Sequence, residues 1–144
     1  MNKFKKILSI LLTAAVLGSF TACDDYEDTY LLAYEECEKV AEEYFDALKE
    51  GDYDTMAELS FYEEDYSNLH DYSRLNYELD DRLCSSSDSY NGYYISCSYF
   101  MNGRSGGCLI CFSYIKAQRR WMINVIDSDY GTVTYSLEHD LFGE

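Results

Sequence analysis

Between residues 31 and 50 the chain reads LLAYEECEKVAEEYFDALKE. Ala33, Cys37, Val40, Ala41, Tyr44 and Leu48 recur at helical spacing, while Glu35, Glu36, Lys39, Glu42, Glu43 and Asp46 fill the opposite side. This spacing predicts one long helix with a single buried stripe, N-capped by Asp28 or Thr29 and closed by Gly51-Asp52. Thr55-Met56-Ala57-Glu58 has the form of a capping box and predicts a second, short helix beyond a tight corner at Gly51 to Asp54. Phe61 to Tyr66 suits a short strand or a loop equally. Leu69, Tyr72, Leu75, Leu79 and Leu83, with Asp71, Arg74, Glu78 and Arg82 opposite, predict a third helix capped by Ser67 or Asn68 and ended by the polar run Ser85 to Ser89.

From Tyr93 the period shortens to two. Four strands are predicted, Tyr93 to Met101, Gly107 to Lys116, Trp121 to Asp127 and Thr132 to Leu137, and the short connectors between them favour antiparallel neighbours in a meander. In the last of these Val133, Tyr135 and Leu137 alternate with Thr132, Thr134 and Ser136, the mark of a half-buried sheet with one face free for helices. The expected fold is therefore α+β, with N-terminal helices packed on a four-stranded antiparallel meander sheet.

Residues 1–22 change this picture at the N-terminus. Lys3, Lys5 and Lys6 precede an apolar run from Ile7 to Leu17 and a stretch of mostly small residues, the layout of an export signal. The uncharged stretch from Ile7 to Ala22 is shorter than the ~20 residues a spanning helix needs. Phe20-Thr21-Ala22-Cys23 resembles the lipobox of bacterial lipoproteins, although Phe20 stands where Leu is usual. The resemblance implies that Cys23 is lipidated and anchors the protein on the extracytoplasmic side of a bacterial envelope membrane. Residues 23–29 then form an acidic tether, and 30–144 a single domain.

The order helix, corner, helix, helix, sheet is similar to that of the nuclear transport factor 2-like superfamily of cone-shaped domains, and within it to small cystatin-like lipoproteins of bacterial envelopes. The likeness is carried by AEEYFDALKEGDYD, from Ala41 to Asp54, and by the tryptophan strand Arg120-Trp121-Met122-Ile123-Asn124-Val125-Ile126. It implies a cone with an inner cavity, used by some relatives for isomerase, dehydratase or hydrolase chemistry. A strand or hairpin that larger members place before the third helix is missing or reduced to Phe61 to Tyr66, so the cavity implied is a shallow one.

Charge excludes one class of partner. Removal of the leader leaves 8 of the 11 basic residues against all 27 acidic ones, a net of −19, and 21 of those acids lie between Asp24 and Asp81. Such a chain has no basic surface with which to neutralise phosphates, so nucleic acid is not an expected partner. Its 16 tyrosines suit strands, and they also suit contacts with a protein, a peptide or a small apolar ligand, because each ring carries a polar tip. Tyr93, Tyr99, Tyr114 and Trp121 are the residues expected to line a pocket.

Candidate chemistry is sparse. Cys108-Leu109-Ile110-Cys111 has CxxC spacing but lies among strand-forming residues, where odd spacing sends the two sulfurs to opposite faces. A first hairpin centred on Arg104 would place Cys97 opposite Cys111 as a disulfide, with Cys37 and Cys84 as a second bridge from two helix faces and Cys108 unpaired. Asp127-Ser128-Asp129-Tyr130-Gly131 with Glu138 imitates a calcium loop, but its glycine is one position early, and a hairpin turn accounts for the same residues. His70 and His139 are candidate acid–base groups, each in a setting more usual for surface residues. Lys116, Arg119 and Arg120 form the one basic cluster, at a turn. No metal site or cofactor is expected. The reading is of a non-catalytic binding module, with a small cavity enzyme and a structural or inhibitory envelope protein as alternatives.

Overall fold

The stripe beginning at Cys37 does build a helix, and a wider one than its spacing suggested. In the computed structural model, which describes residues 31–85, 93–124 and 131–143, helix α1 occupies residues 31–50. Cys37, Ala41, Tyr44, Phe45, Ala47 and Leu48 are all buried along it. It ends as a Schellman motif: Gly51 takes φ +71°, its N–H donates to Leu48 O at 3.3 Å, and the Asp52 N–H donates to Ala47 O at 2.8 Å. The chain divides into two compact units, Met1–Glu35 and Glu36–Glu144. The leader, Cys23, the tether and the caps Asp28 and Thr29 lie outside the described residues.

Helix α2, Tyr53–Leu59, follows at once and buries Met56 and Leu59. Its N-cap is Asp52, not Thr55: the Asp52 carboxylate accepts from Thr55 N at 3.2 Å and from Thr55 Oγ1 at 2.7 Å. The tight corner leaves no room for two further linker residues, so the first carboxylate after Gly51 takes the cap. Phe61 to Tyr66 is loop, tied by one parallel bridge between Ser60 and Ile123 and by the Phe61 N–H donating to Ile123 O at 2.8 Å.

The expected third helix from Leu69 to Leu83 is absent. Asp65 accepts from Ser67 N and Asp71 from Ser73 N, each at 2.9 Å, and these local turns divert backbone donors that a helix would use. Beyond them come strand β1, Asn76–Leu79, and strand β2, Cys84–Ser85, both pairing with the same edge of strand β3, Tyr93–Met101. Tyr72, Leu75 and Leu83 are buried as the leucine spacing required, but from extended and turn backbone. Pairing with a long strand elsewhere in the chain outweighs a local helical period.

Strand β4, Arg104–Ile115, begins earlier than expected because the first hairpin turns on two residues, Asn102 at φ 53° and Gly103 at φ 81°. Both positive angles are what a type I′ turn demands, and Asn-Gly is its favoured pair. Strand β5, Arg120–Asn124, completes an antiparallel open sheet in the order β1-β3-β4-β5, with β2 continuing the edge occupied by β1. Residues 86–92 and 125–130, which hold the connector from Ser85 to Ser89 beyond its first residue, the end of the expected Trp121 to Asp127 strand and the turn after it, lie outside the described residues. The last expected strand, Thr132 to Leu137, is instead helix α3, Val133–Phe142. Thr132 caps it, accepting from Tyr135 N at 3.2 Å, and Val133, Thr134, Leu137 and Leu141 are its buried residues. Gly143 closes it in the left-handed region at φ 79°.

The fold is thus α+β, with three helices and a four-rank antiparallel sheet among the described residues. Registers set the faces. Tyr77, Tyr99 and Gly106 share one cross-strand row, as do Leu79, Cys97 and Cys108, and as do Tyr93, Phe112 and Ile123. On this face the Phe45 ring stacks on Tyr77 with centroids 4.5 Å apart, and burial of a side chain such as Phe45 contributes about 1.5–3 kcal/mol.

Candidate functional site

The four residues expected to line a pocket all project from that same sheet face, and three of them meet. Tyr93 and Tyr114 each approach the Trp121 indole edge-on, at 5.5 Å and 5.3 Å between centroids. Tyr114 and Trp121 are directly opposed in the β4–β5 register, which is why they touch. The indole N–H donates to Glu36 Oε2 at 3.0 Å, fixing the ring against α1. Tyr114 remains 45% exposed. Beside Trp121 is a hollow of about 360 Å³ whose wall includes Glu36, Lys39, Glu43, Glu58, Arg119 and Arg120. Two of the three basic-cluster residues therefore border the aromatic group. Arg120 is held in place by donating to Gln118 Oε1 at 2.7 Å and to Glu58 O at 2.8 Å.

Tyr99 does not join them. It is buried six residues along β3 from Tyr93, and its hydroxyl donates to Asp140 Oδ2 at 2.6 Å. Asp140 comes from α3 and occupies the space above Gly106, where an added Cβ would lie 2.7 Å from the Asp140 Cγ. Burial and the Asp140 hydrogen bond both push the Tyr99 hydroxyl well above its usual range. The same bond holds the Asp140 carboxyl below 3.8, against a smaller opposing effect of burial.

The cysteines fall elsewhere than expected. The turn at Asn102-Gly103 moves the register by three residues, so Cys97 faces Cys108, and Cys111 faces Tyr94 on the other side of the sheet. A Cys97–Cys111 bridge is excluded by this odd displacement. Cys84 sits on β2, not on a helix, in the row of Tyr94 and Cys111. Cys37 is buried in α1, where burial first and then the Glu36 charge push its thiol up to about 12. The proposed Cys37–Cys84 bridge thus lacks its geometric basis, and no disulfide joins the described cysteines. Cys97 and Cys108, with Ser96, Leu109, Thr132 and Ser136, border a hollow of about 580 Å³. No His, Asp or Glu is among its described lining residues.

His70 is not a loose surface residue. Its Nδ1 lies 2.5 Å from Glu138 Oε2, its backbone N–H donates to Glu138 Oε1 at 3.1 Å, and Tyr72 Oη donates to the same oxygen at 2.7 Å. The Phe142 ring stacks on the imidazole at 3.8 Å. Burial raises the Glu138 carboxyl, but the bonds from Tyr72 and His70 outweigh it and leave the group below 4.5. With both oxygens occupied, Glu138 pins the 70–72 segment to α3. The calcium-loop reading gave this carboxylate another role, and Asp127 to Tyr130 lie outside the described residues. His139 is exposed beside Asp140, with Nδ1 and Oδ1 3.3 Å apart. Among the described residues no group of three or more His, Cys, Asp or Glu is placed to hold a metal ion.

A polar cluster missed by sequence reasoning surrounds Glu64. Its Oε1 accepts from Thr132 Oγ1 at 2.5 Å and from Thr134 Oγ1, while Oε2 is buried without a partner among the described residues, as are the hydroxyls of Tyr44 and Tyr62. Burial first, then the Tyr62, Tyr66 and Glu64 neighbours, raise Tyr44 well above 10.0. No periodicity marks such a cluster in advance, because its members come from α1, a loop and the α3 cap. No protein-family model, curated protein sequence or solved structure matches this chain.

Proposed function

We propose that this protein is a lipid-anchored extracytoplasmic binding module, tethered through Cys23, that captures a protein or peptide partner on the Tyr93–Tyr114–Trp121 surface. In this reading the helices cover one face of the sheet in a shallow, nuclear transport factor 2-like arrangement, and the aromatic group is the part of that face left accessible. One observation carries the proposal: two tyrosine rings each in edge contact with the Trp121 indole, which donates to Glu36, beside a hollow bordered by Lys39, Arg119 and Arg120. Rigid aromatics with a polar tip lose little entropy on contact, and flanking charges of both signs favour a partner with its own polar groups.

The test is crosslinking capture from membranes by the intact anchored protein and by its Tyr114→Ala and Trp121→Ala variants. Loss of a captured partner, with the circular dichroism melt retained for Tyr114→Ala, is the expected result. A capture profile unchanged in both variants overturns the assignment. The rival reading, a small enzyme, draws on the His70–Glu138 contact, but both oxygens of that carboxylate already accept hydrogen bonds from the 70–72 segment. It would be favoured by a His70→Ala variant that folds normally and loses a measurable turnover.

A further inference from the structure

The β3–β4 register carries a consequence independent of partner binding. We infer that Cys97 and Cys108 are a redox-sensitive pair, closing as a cross-strand disulfide through thiol–disulfide exchange with a small-molecule or protein disulfide. The two residues are direct cross-strand partners, and their side chains leave the sheet on the same face. Counting in an unbroken register from the two-residue turn at Asn102-Gly103, where Met101 faces Arg104, puts this pair in the hydrogen-bonded class. Opposed Cα atoms in that class are about 5.5 Å apart, inside the 4.4–6.8 Å range that a disulfide spans. No other described cysteines are direct cross-strand partners: Cys111 faces Tyr94 and Cys84 faces Tyr94 from the far edge.

Access favours an ordered reaction. Cys97 is only 3% exposed, whereas Cys108 is half-buried, and both border the hollow of about 580 Å³. The donor disulfide therefore meets Cys108 first. The Cys108 thiolate attacks one donor sulfur, forming a mixed disulfide and releasing one donor thiol. The Cys97 thiolate then attacks the Cys108 Sγ, forming the Cys97–Cys108 bond and releasing the second donor thiol. Two protein S–H bonds are lost and one S–S bond is made; the two electrons and two protons reside in the reduced donor. Hydrogen bonding to the Cys97 thiol, then burial, pushes the Cys108 thiol far above its usual value of 9.0, so the thiolate is scarce at neutral pH. Closure in the folded protein is consequently slow near pH 7 and speeds up by about tenfold per pH unit as the thiolate fraction rises.

The experiment treats the full chain with millimolar glutathione disulfide between pH 7 and pH 9 and follows intact mass, tryptic peptides and thermal melting. The expected product is lighter by ~2 Da than the reduced chain, joins the peptides on either side of Arg104, and melts about 10 °C higher than the reduced form. Because those peptides also hold Cys84 and Cys111, single variants assign the bond. Cys108→Ser and Cys97→Ser must each abolish the product and the melting shift, while Cys111→Ser and Cys84→Ser retain both. If Cys97→Ser fails to fold, the half-buried Cys108→Ser decides alone. The inference is overturned by a product that survives Cys108→Ser, by one lost in Cys111→Ser, by a glutathione adduct that persists on Cys108, or by no Cys97–Cys108 bond at pH 9.

Discussion

Glu138 and Asp140, two residues apart on α3, each accept hydrogen bonds that help seat the C-terminal helix on the rest of the chain. Each carboxyl lies below its ordinary value in the folded protein, Glu138 below 4.5 and Asp140 below 3.8. A depressed folded value means that their contribution is complete above the unfolded value and is lost as pH falls through the folded one. Acid unfolding is therefore expected to begin below about pH 4.5, and Glu138→Gln should flatten the upper part of that transition in a melting series. The thiols act at the other end of the scale. Burial pushes Cys37 up to about 12 and, with the Cys108 neighbour, Cys111 up to about 12, against 9.0 for an ordinary thiol. Above pH 9 the unfolded chain loses these protons while the folded chain keeps them, so stability declines as pH rises. Cys37→Ala should lessen the alkaline decline at the cost of some packing. A melting temperature that is flat from pH 8 to pH 11 in the parent protein would contradict this account.

At the scale of elements, α3 is held by its ends. Thr132→Ala removes the cap oxygen that accepts from Tyr135 N and one of the two hydroxyls that donate to Glu64, and a cap of this kind is worth about 1 kcal/mol. Gly106→Ala should cost about 1–3 kcal/mol, because a methyl group there meets the Asp140 side chain and the helix end must shift. Urea unfolding measures both, and a neutral Gly106→Ala would mean that α3 is not seated over Tyr99. Strand β3 was legible in the sequence to the residue, and α1 by its stripe, since each repeats a single period over many residues. The 69–83 leucines and the Thr132–Leu137 alternation misled for opposite reasons. In the first, local Asx turns and a distant strand edge took over the backbone; in the second, six alternating residues concealed a Thr cap, a Leu137–Leu141 spacing and a closing Gly143. The aromatic site was partly legible. Tyr93, Tyr114 and Trp121 follow from strand parity, but the removal of Tyr99 depends on Asp140, whose helix had been read as a strand. The cysteine pairing turned on the position of one turn, which Asn102-Gly103 displaced from Arg104.

For the whole molecule, charge and anchoring bear on each other. Residues 23–144 carry a net −19 and are repelled by an anionic lipid surface, because membrane attraction comes from clustered Lys and Arg, worth about 1 kcal/mol each near the surface. The one basic cluster offers little against this, since Arg120 is spent on Gln118 and Glu58. No helix among the described residues is long and apolar enough to cross a membrane. The lipobox resemblance places the proposed attachment in the N-terminal segment, at Cys23. A single acyl chain gives only marginal, reversible binding, whereas the doubly or triply acylated cysteine implied by the lipobox resemblance reaches stable attachment. Detergent phase separation of cells expressing the full chain should place it in the detergent phase, and Cys23→Ala should move the processed domain to the aqueous phase or stall the unprocessed form. The distribution of the parent protein should not change between low and high salt, because screening weakens electrostatic contacts and leaves a lipid anchor untouched. Salt-releasable binding, or a processed Cys23→Ala form that stays with the membrane, would assign the attachment to the folded surface instead.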